Sequence, residues 1–146
     1  MKVVVIDDEA DHREIIRDAL FMSGYEVVEA DNGQTGLEAI ERENPDLIIC
    51  DHRMPIMDGD ELFNIVRNSE NEMGLIPFIF LSGNYNGDDL IRRLTLGADN
   101  CLEKPVDLKL LLAHVESTLS GVTRISNYMK GQLDEIVSAF DNSLKH

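Results

Sequence analysis

The sequence has no tryptophan, only two cysteines and no long hydrophobic run. Cys50 and Cys101 lie far apart in apolar segments, and no CxxC spacing is present. No stretch approaches the roughly 18 apolar residues that indicate a membrane span, and Met1-Lys2-Val3 does not open a secretory signal. These absences predict a soluble protein of the reducing cytoplasm that makes no membrane contact.

Basic residues are also scarce, since 13 Lys and Arg stand against 28 Asp and Glu for a formal net charge of -15. Such a chain lacks the basic surface that duplex binding uses, so direct nucleic-acid binding is not expected. All of the excess negative charge precedes Gly121, because residues 121–146 carry three charges of each sign. At 146 residues, the chain fits one ordinary domain with a short appendage.

Five short apolar runs alternate with segments of helical periodicity, which is typical of parallel strands joined by crossover helices. The predicted strands are Val3–Ile6, Glu26–Ala30, Asp46–Cys50, Pro77–Ser82 and Asn100–Glu103. The pattern predicts an α/β fold, a doubly wound (βα)5 open parallel sheet of strand order 2-1-3-4-5. Because Val27 and Val28 stand between acids, the second strand suits a sheet edge.

Helix starts and stops can also be assigned from the sequence. The predicted starts are Asp11, Asn32-Gly33, Gly59, Asp88 or Asp89, and Asp107. The first helix should end at Ser23-Gly24, the second before Pro45 and the fourth at Gly97.

The last part of the chain differs from the rest, so we predict a domain over residues 1–120 and an amphipathic helical tail over residues 121–146. Its apolar residues, at three- and four-residue spacing, are Val122, Ile125, Met129, Leu133, Ile136, Phe140 and Leu144. Three interpretations stay open: a helix packed on its own domain, a dimerising helix, and a linker to an output domain. Gly121 and Gly131 have low helix propensity and disfavour a rigid, continuous coiled coil. The lack of a clear helix terminator at the end indicates a truncated chain.

Polar residues follow four of the predicted strands at their carboxyl ends, where open parallel sheets bind ligands. They are Asp7-Asp8-Glu9, Asp51, Ser82-Gly83 and Lys104-Pro105. Crowded carboxylates repel one another unless a cation compensates, and Mg²⁺ prefers oxygen ligands. Together these residues offer metal ligands, a carboxylate nucleophile, a hydroxyl donor and a cation, which is the set that phosphoryl transfer requires.

These segments resemble the receiver domains of two-component response regulators, from Met1 to about Ser120. The resemblance is carried by Ile6-Asp7-Asp8-Glu9, the run from Cys50 to Gly59, Leu81-Ser82-Gly83, Gly97-Ala98-Asp99 and Lys104-Pro105. It implies that Asp51 accepts a phosphoryl group from the phosphohistidine of a sensor histidine kinase or phosphotransfer protein, and that a downstream output domain or protein reads the result.

The resemblance also implies a metal site for Mg²⁺ or Mn²⁺. Asp8, Asp51 and the backbone carbonyl of Arg53 would hold the ion directly, and Asp7 would act largely through water. Ser82 and Lys104 would bind the phosphoryl oxygens and couple them to a surface change.

The switch region of the family is expected at Ser82, Cys101 and Pro105, with a cis peptide before Pro105. Two features depart from the commonest pattern. Cys101 stands where the family often has Tyr or Phe, so an aromatic switch is not expected. Arg53 and Asn84 resemble the variable positions that tune the lifetime of the aspartyl phosphate, with an effect of unpredicted sign.

Two other function classes are weighed against this switch. A Mg²⁺-dependent phosphatase with an aspartyl nucleophile would want an Asp two residues after the nucleophile and a cap domain, and Asp51-His52-Arg53 does not supply the former. A degenerate receiver that only binds proteins is disfavoured because Asp8, Asp51, Ser82 and Lys104 are intact. His12, His52 and His114 show no metal-ligand spacing and are not predicted to be ligands.

Overall fold

The computed structural model describes residues 1–83 and 87–144 of the chain. Five strands and five α-helices alternate along it, with one short 3₁₀ helix at Glu72–Leu75. The strands are β1 (Lys2–Ile6), β2 (Glu26–Ala30), β3 (Leu47–Asp51), β4 (Phe78–Ser82) and β5 (Asn100–Glu103). The helices are α1 (Ala10–Met22), α2 (Gly33–Glu43), α3 (Gly59–Arg67), α4 (Gly87–Thr95) and α5 (Leu108–Leu144).

The strands form one parallel sheet of order β2-β1-β3-β4-β5, which confirms the predicted doubly wound topology. Every residue of β3 and β4 is buried, as expected for central strands covered on both faces. β2 lies at an edge, where Val27 and Val28 are only partly buried.

Alternate residues of the strands point to two separate cores, one on each face of the sheet. On one face, Ile48, Cys50 and Phe80 pack with residues of α2 and α3. On the other face, Ile49 and Leu81 pack with residues of α1 and α5. Both faces are therefore covered, and the sheet leaves its carboxyl edge open to solvent.

Polar caps explain where three of the helices begin. Asn32 Oδ1 accepts a hydrogen bond from the Thr35 amide at 2.9 Å, and Asp58 Oδ1 accepts one from the Glu61 amide at 2.9 Å. Asp107 Oδ1 accepts bonds from the amides of Lys109 and Leu110 at 3.0 and 3.2 Å, so its predicted role as a cap is confirmed.

Two predicted helix starts differ from the observed ones by one or two residues. α1 begins at Ala10 after Glu9, which makes no side-chain cap bond, and Asp11 lies inside the first turn. α4 begins at Gly87, so Asp88 and Asp89 lie in the helix instead of capping it. An acid in a first turn gains from the helix dipole much as a cap does, which is why sequence alone confuses the two positions.

The predicted helix ends are confirmed. Ser23 is the C-cap of α1, and Gly24 follows with a φ of 96°. α2 stops at Asn44, which takes a left-handed conformation directly before Pro45. Gly97, with a φ of 106°, follows the end of α4.

α5 is one continuous helix of 37 residues that crosses Ser120-Gly121 without a break. Leu111, Val115 and Leu119 bury its first part against the sheet. From residue 128 to residue 142 every side chain is exposed, so this stretch is not packed on its own domain. Within residues 1–83 and 87–144, no helix combines the length and apolar character needed to cross a membrane.

Candidate functional site

The carboxyl ends of four strands bring the predicted site residues together. Asp7 follows β1, Asp51 ends β3, Ser82 ends β4 and Lys104 follows β5. One carboxylate oxygen from each of four acids lies within 4.8 Å of the others, and these acids are Asp7, Asp8, Glu9 and Asp51. Asp7 and Asp51 are buried, whereas Asp8 and Glu9 are exposed. The site is therefore acidic from its floor to its rim.

Lys104 supplies the positive charge at the centre of this cluster. Its Nζ lies 3.0 Å from Asp51 Oδ2, 3.3 Å from Asp7 Oδ2 and 3.7 Å from Glu9 Oε1. Burial lowers the pKa of Lys104, but its hydrogen bond to Asp51 and the charges of the acids raise it above the ordinary value. The ammonium group is therefore held charged among carboxylates.

Asp51 is 5% exposed at the floor of the site. Burial is the largest influence on its carboxyl group and, with the negative charge of Asp7, outweighs the hydrogen bond from Lys104 and raises the pKa of Asp51 to about 6. Without a bound cation, the ionised form of Asp51 therefore destabilises the folded protein. A cation bound among these oxygens would lower that cost.

Asp7 is held in place by neighbours at the start of α1 and by Lys104. Its Oδ1 accepts a bond from the Glu9 amide at 2.9 Å, and its backbone carbonyl accepts one from Arg13 Nη1 at 2.8 Å. Its Oδ2 contacts the Nδ1 of His12 as well as Lys104. His12 is not predicted to be a metal ligand, and its contact with Asp7 was not predicted either, although a residue in the first turn of α1 can reach back to Asp7.

The donor set fits a hard divalent cation, because all four acidic side chains offer oxygen atoms. A cavity of about 260 Å³ opens above Asp51 and is lined by Asp8, Glu9, Asp51, His52, Arg53, Gly83 and Lys104. Glu9, which was not among the predicted ligands, also belongs to the cluster. A more open cavity of about 920 Å³ lies elsewhere, between the ends of α2 and α3, and includes none of these acids.

The other predicted switch residues have definite places. Ser82 is fully buried, and its carbonyl accepts a bond from the Lys104 amide at 2.8 Å. The peptide before Pro105 is cis, as predicted. Cys101 is 4% exposed, in keeping with a small buried side chain, whereas Arg53 is exposed at the cavity. Asn84 lies outside the described residues.

A tight turn fixes the chain beyond Asp51. The Gly59 amide donates to the His52 carbonyl at 2.8 Å, and the His52 amide donates to the Leu81 carbonyl at 2.9 Å. A Cβ atom on Gly59 would collide with the Asp51 carbonyl oxygen and lie 3.2 Å from the His52 Cα. Only glycine therefore lets α3 start so close to the nucleophile.

The family model described as response regulator receiver domain matches residues 3–116. The chain belongs to the response regulator receiver family. The receiver is 36% identical over 126 residues to the probable transcriptional regulator ycf27 of Porphyridium aerugineum. It is 37% identical over 117 residues to the phosphate regulon transcriptional regulatory protein PhoB of Pseudomonas aeruginosa. These alignments cover 86% and 80% of this chain but 51% of each relative, so the chain spans about half the length of the curated relatives it matches.

Solved receiver structures share the fold. The receiver domain of Francisella response regulator 1452 matches with a TM-score of 0.77 and 29% identity, over 83% of this chain and 98% of that one. The signal receiver domain of a putative Luxo repressor protein from Vibrio parahaemolyticus matches with a TM-score of 0.80. At 21% identity, over 87% of this chain and 95% of that one, the latter supports the fold alone. Receivers of this family are signalling switches rather than enzymes that turn over a small substrate.

Proposed function

We propose that this receiver is a phosphorylation-dependent switch of a two-component system in which Asp51 is the phosphoacceptor. The observation that carries the proposal is the arrangement around Asp51: a buried carboxylate at 3.0 Å from the Lys104 ammonium, within a cluster of three further acids. No other acid among the described residues is at once buried, in contact with a basic side chain and part of the lining of this cavity.

In the proposed reaction, an Asp51 carboxylate oxygen attacks the phosphorus of a phosphohistidine on a sensor histidine kinase or phosphotransfer protein. The P–N bond breaks, its electron pair returns to the imidazole, which takes up a proton, and an acyl phosphate forms on Asp51. Lys104 stabilises the charge on the phosphoryl oxygens during this transfer. The Nζ of Lys104 lies 3.0 Å from Asp51 Oδ2, which is close enough for the ammonium group to contact a phosphoryl group formed on this carboxylate.

Asp8, Asp51 and the Arg53 carbonyl would hold Mg²⁺ or Mn²⁺, and Asp7 would act through water. When bound, the ion supplies the positive charge that phosphoryl oxygens require. Asp7 also positions Lys104, because its carboxylate contacts the same ammonium group that contacts Asp51. The exposed acids Asp8 and Glu9 keep the rim of the site negative.

Ser82 and Lys104 are the residues that couple the phosphoryl group to the surface in this proposal. They are already joined by a backbone hydrogen bond across the ends of β4 and β5. A new set of oxygen atoms on Asp51 would bind the Ser82 hydroxyl and the Lys104 ammonium and displace both strand ends together. We assign phosphate-lifetime tuning to Arg53 and Asn84, with Arg53 at the cavity edge; Cys101 and Pro105 complete the switch region.

The acceptor assignment is tested by incubating the protein with Mg²⁺ and acetyl phosphate and measuring its intact mass. We expect a gain of about 80 Da, the mass of one phosphoryl group, and its loss in Asp51→Asn. Asp18→Asn, which removes an exposed acid of α1, is the matched control and should retain the gain. An unmodified wild-type protein, or an adduct that survives Asp51→Asn, would contradict the proposal. Turnover of generic phosphoesters would favour the phosphatase alternative instead.

The output side of the switch is also a proposal. The relatives named above are transcriptional regulators, and the chain matches only half of each. We propose that residues 1–120 form the receiver, that residues 121–146 connect it to an output domain or protein, and that it works in the cytoplasm with the transcription machinery.

The exposed part of α5 fits a second copy of the same chain. Its apolar residues Met129, Leu133, Ile136 and Phe140 are spaced four, three and four apart and are between 59 and 65% exposed, which puts them on one face of the helix, as in the seam of a coiled coil. The tail carries equal numbers of charges of each sign, so two tails meet without net repulsion. We therefore propose a homodimer through this face.

A further inference from the structure

The side-chain carboxylate of Asp60 contacts both the loop after the phosphoacceptor and the helix α4. Asp60 lies in the first turn of α3, and its Oδ2 is 2.8 Å from the Nε2 of His52, the residue that follows Asp51. Its Oδ1 accepts a hydrogen bond from Arg93 Nε on α4 at 3.1 Å. The two oxygens of the Asp60 side chain therefore hold the loop that follows the nucleophile and the helix α4.

Arg93 is an unusual partner because it is 2% exposed. Its Cζ lies 5.2 Å from the centre of the Phe80 ring, and its Nη1 lies 4.0 Å from Cys101 Sγ. Among the described residues, its Nη2 is buried without a hydrogen-bond partner. A buried guanidinium is costly unless a counter-charge balances it, and Asp60 supplies that charge.

Both members of this pair are held in their charged forms. Burial raises the pKa of Asp60, but the hydrogen bond and charge of Arg93, with His52, bring it below the ordinary value. Burial lowers the pKa of Arg93, but the hydrogen bond and charge of Asp60 raise it overall. The pair therefore behaves as an ion pair across α3 and α4.

The small side chain of Cys101 leaves room for this guanidinium. Cys101 occupies the β5 position at which receivers often carry Tyr or Phe, and here the Arg93 side chain packs against it and against Phe80. With Cys101 at this position no aromatic switch is possible, and the charged side chain of Arg93 occupies the region under α4 instead.

We infer that Asp60 and Arg93 are a positioning pair that transmits the state of Asp51 to α4. The inference rests on the proposed function of Asp51. The backbone of His52 is hydrogen-bonded to Leu81 and to Gly59, the first residue of α3. If a phosphoryl group on Asp51 moves His52, the start of α3 and Asp60 must therefore move with it. Arg93 then follows its counter-charge, since leaving it unpaired in the core is strongly unfavourable.

This route differs from the one through Ser82 and Lys104. Those residues act at the ends of β4 and β5, whereas Asp60 acts from α3 and reaches α4 directly. Coupling between two sites is reciprocal, so a partner protein that binds and moves α4 changes the affinity of the Asp51 site for a phosphoryl analogue by the same factor.

The test uses the full chain with Mg²⁺ and beryllofluoride, a non-covalent mimic of the phosphoryl group, and follows amide hydrogen exchange. In the double variant Asp60→Leu/Arg93→Met, apolar side chains replace both charges, a change that preserves packing better than removing one partner. We expect beryllofluoride to change exchange in residues 87–95 of the wild type several-fold, and the double variant to lose more than half of that change. The response at Gly83 and Lys104 should persist.

Two single variants keep the test decisive if the double variant folds poorly. Arg93→Met removes the charge and should lose more than half of the α4 response, whereas Arg93→Lys keeps the charge opposite Asp60 and should retain the response. A wild-type α4 response in a folded double variant, or equal α4 responses in Arg93→Met and Arg93→Lys, would overturn the inference alone. No response to beryllofluoride anywhere in the wild type would instead contradict the proposed function of Asp51.

Discussion

At the scale of single residues, the opposing influences on Asp51 determine how the site behaves without its cation. Lys104 favours the carboxylate form through a contact of 3.0 Å, but burial and the neighbouring acids outweigh it. A pKa of about 6 means that the protein keeps an ionised Asp51 at neutral pH at the expense of its own stability. The ionised form of Asp51, which is the nucleophilic form, is therefore also the form that lowers the stability of the protein.

Asp51→Asn should stabilise the metal-free protein at pH 7.5. The raised pKa of Asp51, which already includes the favourable contact with Lys104, corresponds to about 3 kcal/mol at most, so we expect a gain of about 1–3 kcal/mol. As the pH falls through 6 toward 5, Asp51 becomes protonated in the native state, and the advantage of the variant should shrink. Urea unfolding in EDTA at several pH values measures this difference.

Mg²⁺ provides the control for this prediction. It should stabilise the wild type more than Asp51→Asn, because binding to the native state alone shifts the unfolding equilibrium and the variant has lost a ligand. A stability difference that does not depend on pH would show that burial of the Asp51 charge is not its cause.

At the scale of elements, the strands were predictable because their apolar runs are short and bounded. That pattern, together with the rules for crossover connections, also predicts the strand order and the positions of β2 and β5 at the two edges of the sheet. The start of α4 was misplaced because Asp88 and Asp89 satisfy the sequence preferences of both a cap and a first turn.

The structure brings Asp7, Asp8, Asp51 and Lys104 together, as expected for residues at the carboxyl ends of parallel strands. The contacts between Asp60 and Arg93, and between Asp7 and His12, were not predictable in the same way. They join residues of different helices, or of a loop and a helix, whose relative rotation is set by packing. An Arg in a helix of mixed polarity also carries no sequence signal that it is buried.

The close approach of α3 to the nucleophile gives a prediction at this scale. Gly59→Ala should lower the free energy of unfolding by about 1–3 kcal/mol, because its Cβ would press on the Asp51 carbonyl and the His52 Cα. The same displacement should slow phosphorylation of Asp51 by acetyl phosphate. Urea unfolding and intact-mass time courses check the two effects separately.

Gly131→Ala is the matched control. A Cβ at Gly131 meets no atom within 4 Å, and the residue lies in the exposed part of α5. The substitution should therefore stabilise the helix by up to about 1 kcal/mol and leave phosphorylation unchanged. If Gly59→Ala behaved like Gly131→Ala, the tight turn beyond Asp51 would have no role in holding the nucleophile.

At the scale of the whole molecule, the charge is divided between two regions. The residues before Gly121 carry the whole net charge of -15, whereas the tail is neutral. Two receivers repel each other over a distance that salt shortens to about 10 Å at 0.1 M. Association through the tail would keep this repulsion weak while it buries the exposed apolar face of α5.

The proposed dimer can be tested by adding charge to one face of the tail. Leu133→Glu/Ile136→Glu should convert a concentration-dependent dimer into a monomer in light scattering, because it puts carboxylates into the apolar seam. Ser138→Glu/Asn142→Glu adds the same charge to the opposite face of the helix and should leave the dimer intact, and added salt should strengthen it. A wild-type monomer at high protein concentration would contradict the dimer and favour an output domain as the partner of this face. Equal dissociation by both variants would instead show that total charge, and not the apolar seam, controls association.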